Sequence, residues 1–146
     1  MTITGKLYGL VFTALWNKEI DYDSDTIAVT LHTSTYTPDQ DAHDYFNDAT
    51  NELGTASGYT AGGKNLASKT VTYTGGTNKH VLDAADLQWT SFSATFRTAV
   101  IHDHTPATDA TRPLIGYQNS DADITGGGGN LDLVWNASGI VEITVG

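Results

Sequence analysis

Short runs of alternating apolar and polar residues, broken by turn-forming residues at intervals of about ten, fill most of this chain and exclude an all-helical fold. In the run 26–34, Ile27, Val29 and Leu31 share one face while Ala28, Thr30 and His32 share the other, the pattern of a half-buried strand. Lys69 to Thr74 alternates through Val71 and Tyr73. Lys79 to Leu82 follows after Gly75-Gly76-Thr77-Asn78, a link that suits an antiparallel hairpin. Leu87 and Trp89 lead into a further strand. Ala94 to His102 is the strongest central strand, because Val100 and Ile101 make it apolar on both faces near its end. Leu114 to Tyr117 reads as a short strand. The last two runs, around Leu131 to Trp135 and Ile140 to Val145, are joined by Asn136-Ala137-Ser138-Gly139 as a hairpin. Between these runs, 54–63, 103–113 and the acidic stretch before Gly126 to Gly129 read as loops, the four glycines as a flexible one.

Seven to eight short strands predict a mainly β chain, an antiparallel β-sandwich or barrel, with one α-helix packed on it. That helix is expected over about 5–17. In Lys6 to Asn17, Leu7, Leu10, Val11, Ala14 and Leu15 fall on one helical face, with Thr4 as the N-cap. Tyr8, Phe12 and Trp16 widen the apolar arc, leaving only Lys6, Gly9, Thr13 and Asn17 for water. A helix with so narrow a polar strip is expected to be buried on two sides, against its own sheet and against another subunit or protein. Tyr8, Phe12 and Trp16 are therefore the candidate interface residues. A second, short helical segment is expected from Thr37-Pro38 to about Phe46, with Asp39, Asp41 and Asp44 at its positive end.

The chain has 146 residues, enough for one domain spanning 1–146 with a substantial core and no linker to divide it. A formal charge of −10 opposes binding to nucleic-acid phosphates and to anionic membrane surfaces. The absence of cysteine excludes disulfide staples and thiol catalysis. The start MTITGK has no charged and apolar leader pattern, so ordinary secretion is not expected.

Candidate chemistry is sparse. Asp21, Asp23 and Asp25 alternate as in a calcium loop, but Thr26 and His32 stand where an EF-hand needs glycine and glutamate, so a solvated turn is the better reading. His102-Asp103-His104 offers imidazoles around a carboxylate without an obvious third ligand. Glu19, Glu52 and Glu142 supply acids for a glycosidase pair, as any acidic domain would. Gly126 to Gly129 lacks the lysine and helix of a phosphate loop. Asn136-Ala137-Ser138 matches a glycosylation sequon and reads as a tight turn, and Tyr36 and Tyr59 could form a sugar-binding platform. No catalytic residue, metal or cofactor is expected.

The order of features carries a resemblance. ITGKLYGL at the start is followed by WNKEIDYDSDTIAVTL, the block Ser34 to Asp41 with Asp44-Tyr45, and Gly58-Tyr59-Thr60-Ala61-Gly62-Gly63. Thr70-Val71-Thr72-Tyr73, Ala99-Val100-Ile101-His102 and Trp135 to Ile140 complete the series. Taken together, the chain resembles small structural proteins of tailed bacteriophages, of the head decoration or minor tail type. The resemblance implies a virion component made in the host cytoplasm. The first expectation is a decoration (cement) protein bound to the major capsid protein on the outer head surface, as a homo-oligomer with a trimer favoured. The alternatives are a tail, baseplate or host-glycan-binding part, and a carbohydrate-active module.

Overall fold

A computed structural model describes residues 1–146. It contains ten strands, β1 (Ile3–Leu7), β2 (Ile27–His32), β3 (Lys64–Asn65), β4 (Thr70–Thr74), β5 (Lys79–Asp83), β6 (Leu87–Phe92), β7 (Thr95–Asp103), β8 (Leu114–Thr125), β9 (Gly129–Leu133) and β10 (Val141–Thr144), and one helix, α1 (Val11–Trp16). All pairings are antiparallel: a five-stranded sheet ordered β1-β8-β7-β2-β3, a three-stranded sheet β10-β5-β4 and a two-stranded ribbon β6-β9. The chain is thus mainly β and sandwich-like, as its periodicity predicts.

The central strands of the five-stranded sheet, β2 and most of β7, are covered on both faces. Ile27, Val29 and Leu31 of β2, with Ala99 and Ile101 of β7, enter the larger core, which reaches Val11 and Ala14 of α1, Trp89 and Phe92 of β6, and Trp135. The opposite face carries Val100, Leu114 and Tyr117, which pack with Tyr8, Tyr36, Phe46 and Ala49 in a second, smaller core. Every residue of β2 is buried, so the half-buried reading of this strand is corrected: the segment 33–50 lies over its second face.

Polar residues on that face are paired internally, except that His102 Nδ1 is buried without a partner. His32 donates from Nδ1 to the carbonyl of Thr50 at 2.8 Å, which leaves Nε2 to accept the Thr30 hydroxyl at 2.9 Å. Burial holds His32 down at about 4 and His102 at about 3, and both are neutral imidazoles at ordinary pH. His102 stacks on Phe46 at 4.0 Å and meets His104 through its Nε2 at 3.1 Å.

Four other expectations are corrected. Lys6 lies in a strand, and the N-terminal helix is only six residues long. Residues 37–44 hold no helix but a turn at 40–42, because the Asp39 carboxylate accepts the N–H groups of Asp41 and Ala42 and closes the chain locally; a 3-10 turn follows at Phe46–Asp48. The acidic stretch before the glycines belongs to β8, twelve residues long, which is held between β1 and β7 and by the Arg97–Asp123 ion pair. The Asn136–Gly139 turn exists, but β9 and β10 pair with different sheets. Trp135 forces that crossing: its N–H donates to Asp86 and its indole to the Ala85 carbonyl.

Two glycines are structural. Gly63 has φ +71°, and a Cβ there would lie 2.0 Å from the carbonyl oxygen of Val29. Gly126 would place a Cβ 2.3 Å from the Phe92 carbonyl oxygen, and Gly128 donates to that same oxygen, so the glycine loop is pinned to β6. Gly63→Ala is expected to destabilise the fold by at least about 3 kcal/mol, measured by thermal or denaturant unfolding.

Acid should act through the buried imidazoles. Between the ordinary value of 6.5 and about 4, an unfolded chain takes up protons that folded His32 and His102 refuse, so stability is lost as pH falls through this window. Each histidine contributes up to roughly 3 kcal/mol of that loss by pH 4. Asp103 opposes it, since burial raises its carboxyl above the ordinary range and favours the folded state as pH drops. Urea unfolding at a series of pH values should therefore show a falling limb below 6.5, and His102→Leu should flatten it by about one proton.

Candidate interaction surface

Residues 1–18 contain no Asp or Glu, although the remaining chain carries all 17. This acid-free stretch folds as β1, a buried tyrosine and α1. In α1, Val11 and Ala14 are buried on the large core, while Phe12, Leu15 and Trp16 fall together on the opposite side at i, i+3 and i+4 spacing. Their exposures are 38%, 36% and 83%, high for three large apolar side chains on one six-residue helix.

Beside them runs a crevice lined only by apolar side chains, including Leu7, Phe12, Leu15, Leu82, Val141 and Ile143. Its free volume of about 20 Å³ is close to a single water and too small for a ligand. The surface is an apolar ridge with a seam, a shape suited to contact with another protein rather than to enclosure of a small molecule.

Of the three predicted interface residues, Phe12 and Trp16 lie on this ridge and Tyr8 does not. Tyr8 is fully buried, 4.9 Å from the Tyr117 ring, and its hydroxyl lies 2.7 Å from that of Tyr36. The Asp39 N–H donates to Nδ1 of His43, which makes that nitrogen an acceptor. The Tyr36 hydroxyl therefore donates to it at 3.2 Å, and Tyr8 donates to Tyr36. Burial raises the Tyr8 hydroxyl far above the usual phenol range and Tyr36 to about 12. Tyr8 is the anchor of the segment rather than a contact residue, because it lies between β1 and α1, where helical spacing does not apply. Leu15, placed on the inner face from the same period, lies on the outer rim.

The other candidate residues are dispersed or occupied. The Asp21–Asp25 turn bonds to itself, through the Asp21 N–H to Asp25 and the Ser24 N–H to Asp21, and the Ser24 hydroxyl, with that N–H, lowers the Asp21 carboxyl. His102 and His104 meet, but no group of three His, Asp or Glu side chains is arranged to hold a metal ion. Glu19 accepts from Tyr45, Glu52 from Tyr59 and the Gly62 N–H, and Glu142 pairs with Lys79 on the surface. Tyr36 and Tyr59 are both buried, which removes them as a sugar-binding platform. The Tyr59 hydroxyl accepts the Leu31 N–H and braces β2.

Comparison with protein-family models, curated proteins and solved structures finds no match to this chain. The interaction surface is therefore read from its own geometry.

Replacing Phe12 and Trp16 together by Ser is expected to cost about 1–3 kcal/mol of folding stability, nearly all of it from Phe12, which is more than half buried, and to leave the protein folded. Tyr8→Ala should cost about 3–5 kcal/mol, as for other buried aromatics. Equilibrium unfolding of the two variants separates contact residues from anchor.

Proposed function

We propose that this protein is a non-enzymatic structural component of a tailed-phage virion, a decoration protein that binds the outer surface of the head and braces neighbouring capsid subunits. The observation that carries this reading is the exposed Phe12–Leu15–Trp16 ridge with its all-apolar seam. Aromatic side chains concentrated in an otherwise acidic surface are what a specific protein contact requires. The sequence resemblance supplies the class of partner, and the −10 charge supports contact with protein rather than with packaged DNA.

Stabilisation would come from repeated burial. An interface of about 1,600 Å² per copy is standard for a specific complex, and engaging several capsid subunits through a multi-copy assembly multiplies its effect. Trp16 and Phe12 are the anchoring side chains in this scheme, with Leu15 at their rim.

The test is binding of purified protein to capsids lacking it, followed by reconstruction of the decorated particle. Wild-type protein should occupy the outer shell in lattice stoichiometry, and the Phe12→Ser/Trp16→Ser variant should fold and fail to bind. Density confined to the tail, in few copies, would move the protein to the tail or baseplate class; full binding by the double variant would overturn the role of the ridge.

A further inference from the structure

The five-stranded sheet ends at β1, and no backbone bond covers its outer side. Thr2 and Tyr8 exchange bonds with β8, through Asp121 N–H to the Thr2 carbonyl and Tyr8 N–H to the Ile115 carbonyl. By antiparallel alternation Thr4 and Lys6 also face β8, and the N–H and C=O groups of Ile3, Gly5 and Leu7 point outward. Residues 3–6 are exposed and Leu7 is half-buried, so the edge is accessible along its length. Natural edges of this kind are usually shielded by proline, bulges or charged side chains, lysine above all. β1 has a regular register, no proline, and a single charge, Lys6.

The sheet face beneath this edge is also uncovered. A groove of about 680 Å³ opens there, between Ile3, Gly5 and Gln118 on one side and Leu133, Val134 and Ile140 on the other. Met1, Ile3 and Val134 stand half or more exposed at its mouth.

We infer that β1 pairs antiparallel with β1 of a second copy about a two-fold axis at Gly5, joining the two five-stranded sheets into one. Charge favours a second copy as the occupant. A chain of net −10 repels itself wherever its acids face each other, and residues 1–18 carry none, so two copies can meet along β1 without opposing carboxylates. Geometry fixes the register. The register that overlaps all five residues puts Gly5 opposite Gly5, Ile3 opposite Leu7 and Lys6 opposite Thr4, so no like charges face each other directly. It uses every outward group, for about six new backbone bonds, and sets exposed Ile3 beside an apolar neighbour. Asp121, next to Thr2, falls at opposite ends of the junction in the two copies. The contact is isologous and closes at two copies, which leaves Phe12, Leu15 and Trp16 outside it.

Sedimentation equilibrium of the full chain, with cross-linking, tests this. Wild type should have twice the chain mass. Ile3→Pro removes an outward N–H, which the pairing with β8 does not use, and should give a folded monomer with unchanged circular dichroism. Gly5→Cys places the only thiols of the dimer at paired positions about 5.5 Å apart between Cα atoms, within disulfide range, and should cross-link on mild oxidation. Its added Cβ meets only the flexible end of Gln118. Phe12→Ser/Trp16→Ser should remain dimeric, which separates this junction from the capsid-binding ridge. A monomeric or trimeric wild type overturns the inference, as does a dimer that neither responds to Ile3→Pro nor cross-links through Gly5→Cys.

Discussion

The β2–β7 pair, buried on both faces, is the constraint from which the rest of the architecture follows. One face can be covered by ordinary apolar packing, and the large core does this with α1, β6 and Trp135. The other presents Thr30, His32, Thr98 and His102, all fully buried, and leaving such groups without partners would cost about 1–3 kcal/mol each. The segment 33–50 provides both partners and apolar cover. The Thr50 carbonyl fixes the His32 tautomer, Phe46 stacks on His102, and the segment is tied back by Gly9 N–H to Gln40, Phe46 N–H to Arg112 and Leu114 N–H to Asp44. A long connection with little regular structure is thereby tied to the sheet at several points.

The strands were legible because their burial follows a period of two, and β4, β5 and β7 lie close to where alternation places them. What alternation does not carry is which polar residues are covered by a distant loop, so β2 reads as half-buried although Thr30 and His32 lie inside. It carries pairing partners no better. The turn at Asn136–Gly139 is visible in the residues, but the contacts of Trp135 with Ala85 and Asp86, some fifty positions away, send β9 and β10 to different sheets. The candidate surface was half legible. Phe12 and Trp16 share an exposed side because they are one helical turn apart within α1, whereas Tyr8 lies beyond the N-terminal end of α1, where helical spacing has no meaning.

Acid distribution adds information that periodicity lacks. Charge repulsion discourages contact wherever acids cluster on this surface, and residues 1–18, which carry none, hold both the open β1 edge and the apolar α1 ridge. The two features use different groups, main-chain N–H and C=O in one case and aromatic side chains in the other, so under the proposals above neither contact would compete with the other.

Tyr8 connects them. It lies at the point where the chain leaves the sheet edge and turns into α1, with its N–H on Ile115 of β8 and its ring against Tyr117 of the same strand. Its hydroxyl is held by Tyr36, which belongs to the segment that covers the second core. A six-residue helix is too short to be stable by itself and takes its position from such anchors. Because edge and ridge leave the same fixed residue in opposite directions, their relative placement is set before any partner arrives. A partner engaging either surface would then meet a backbone already in place, and the ordering cost left would be that of exposed side chains such as Trp16.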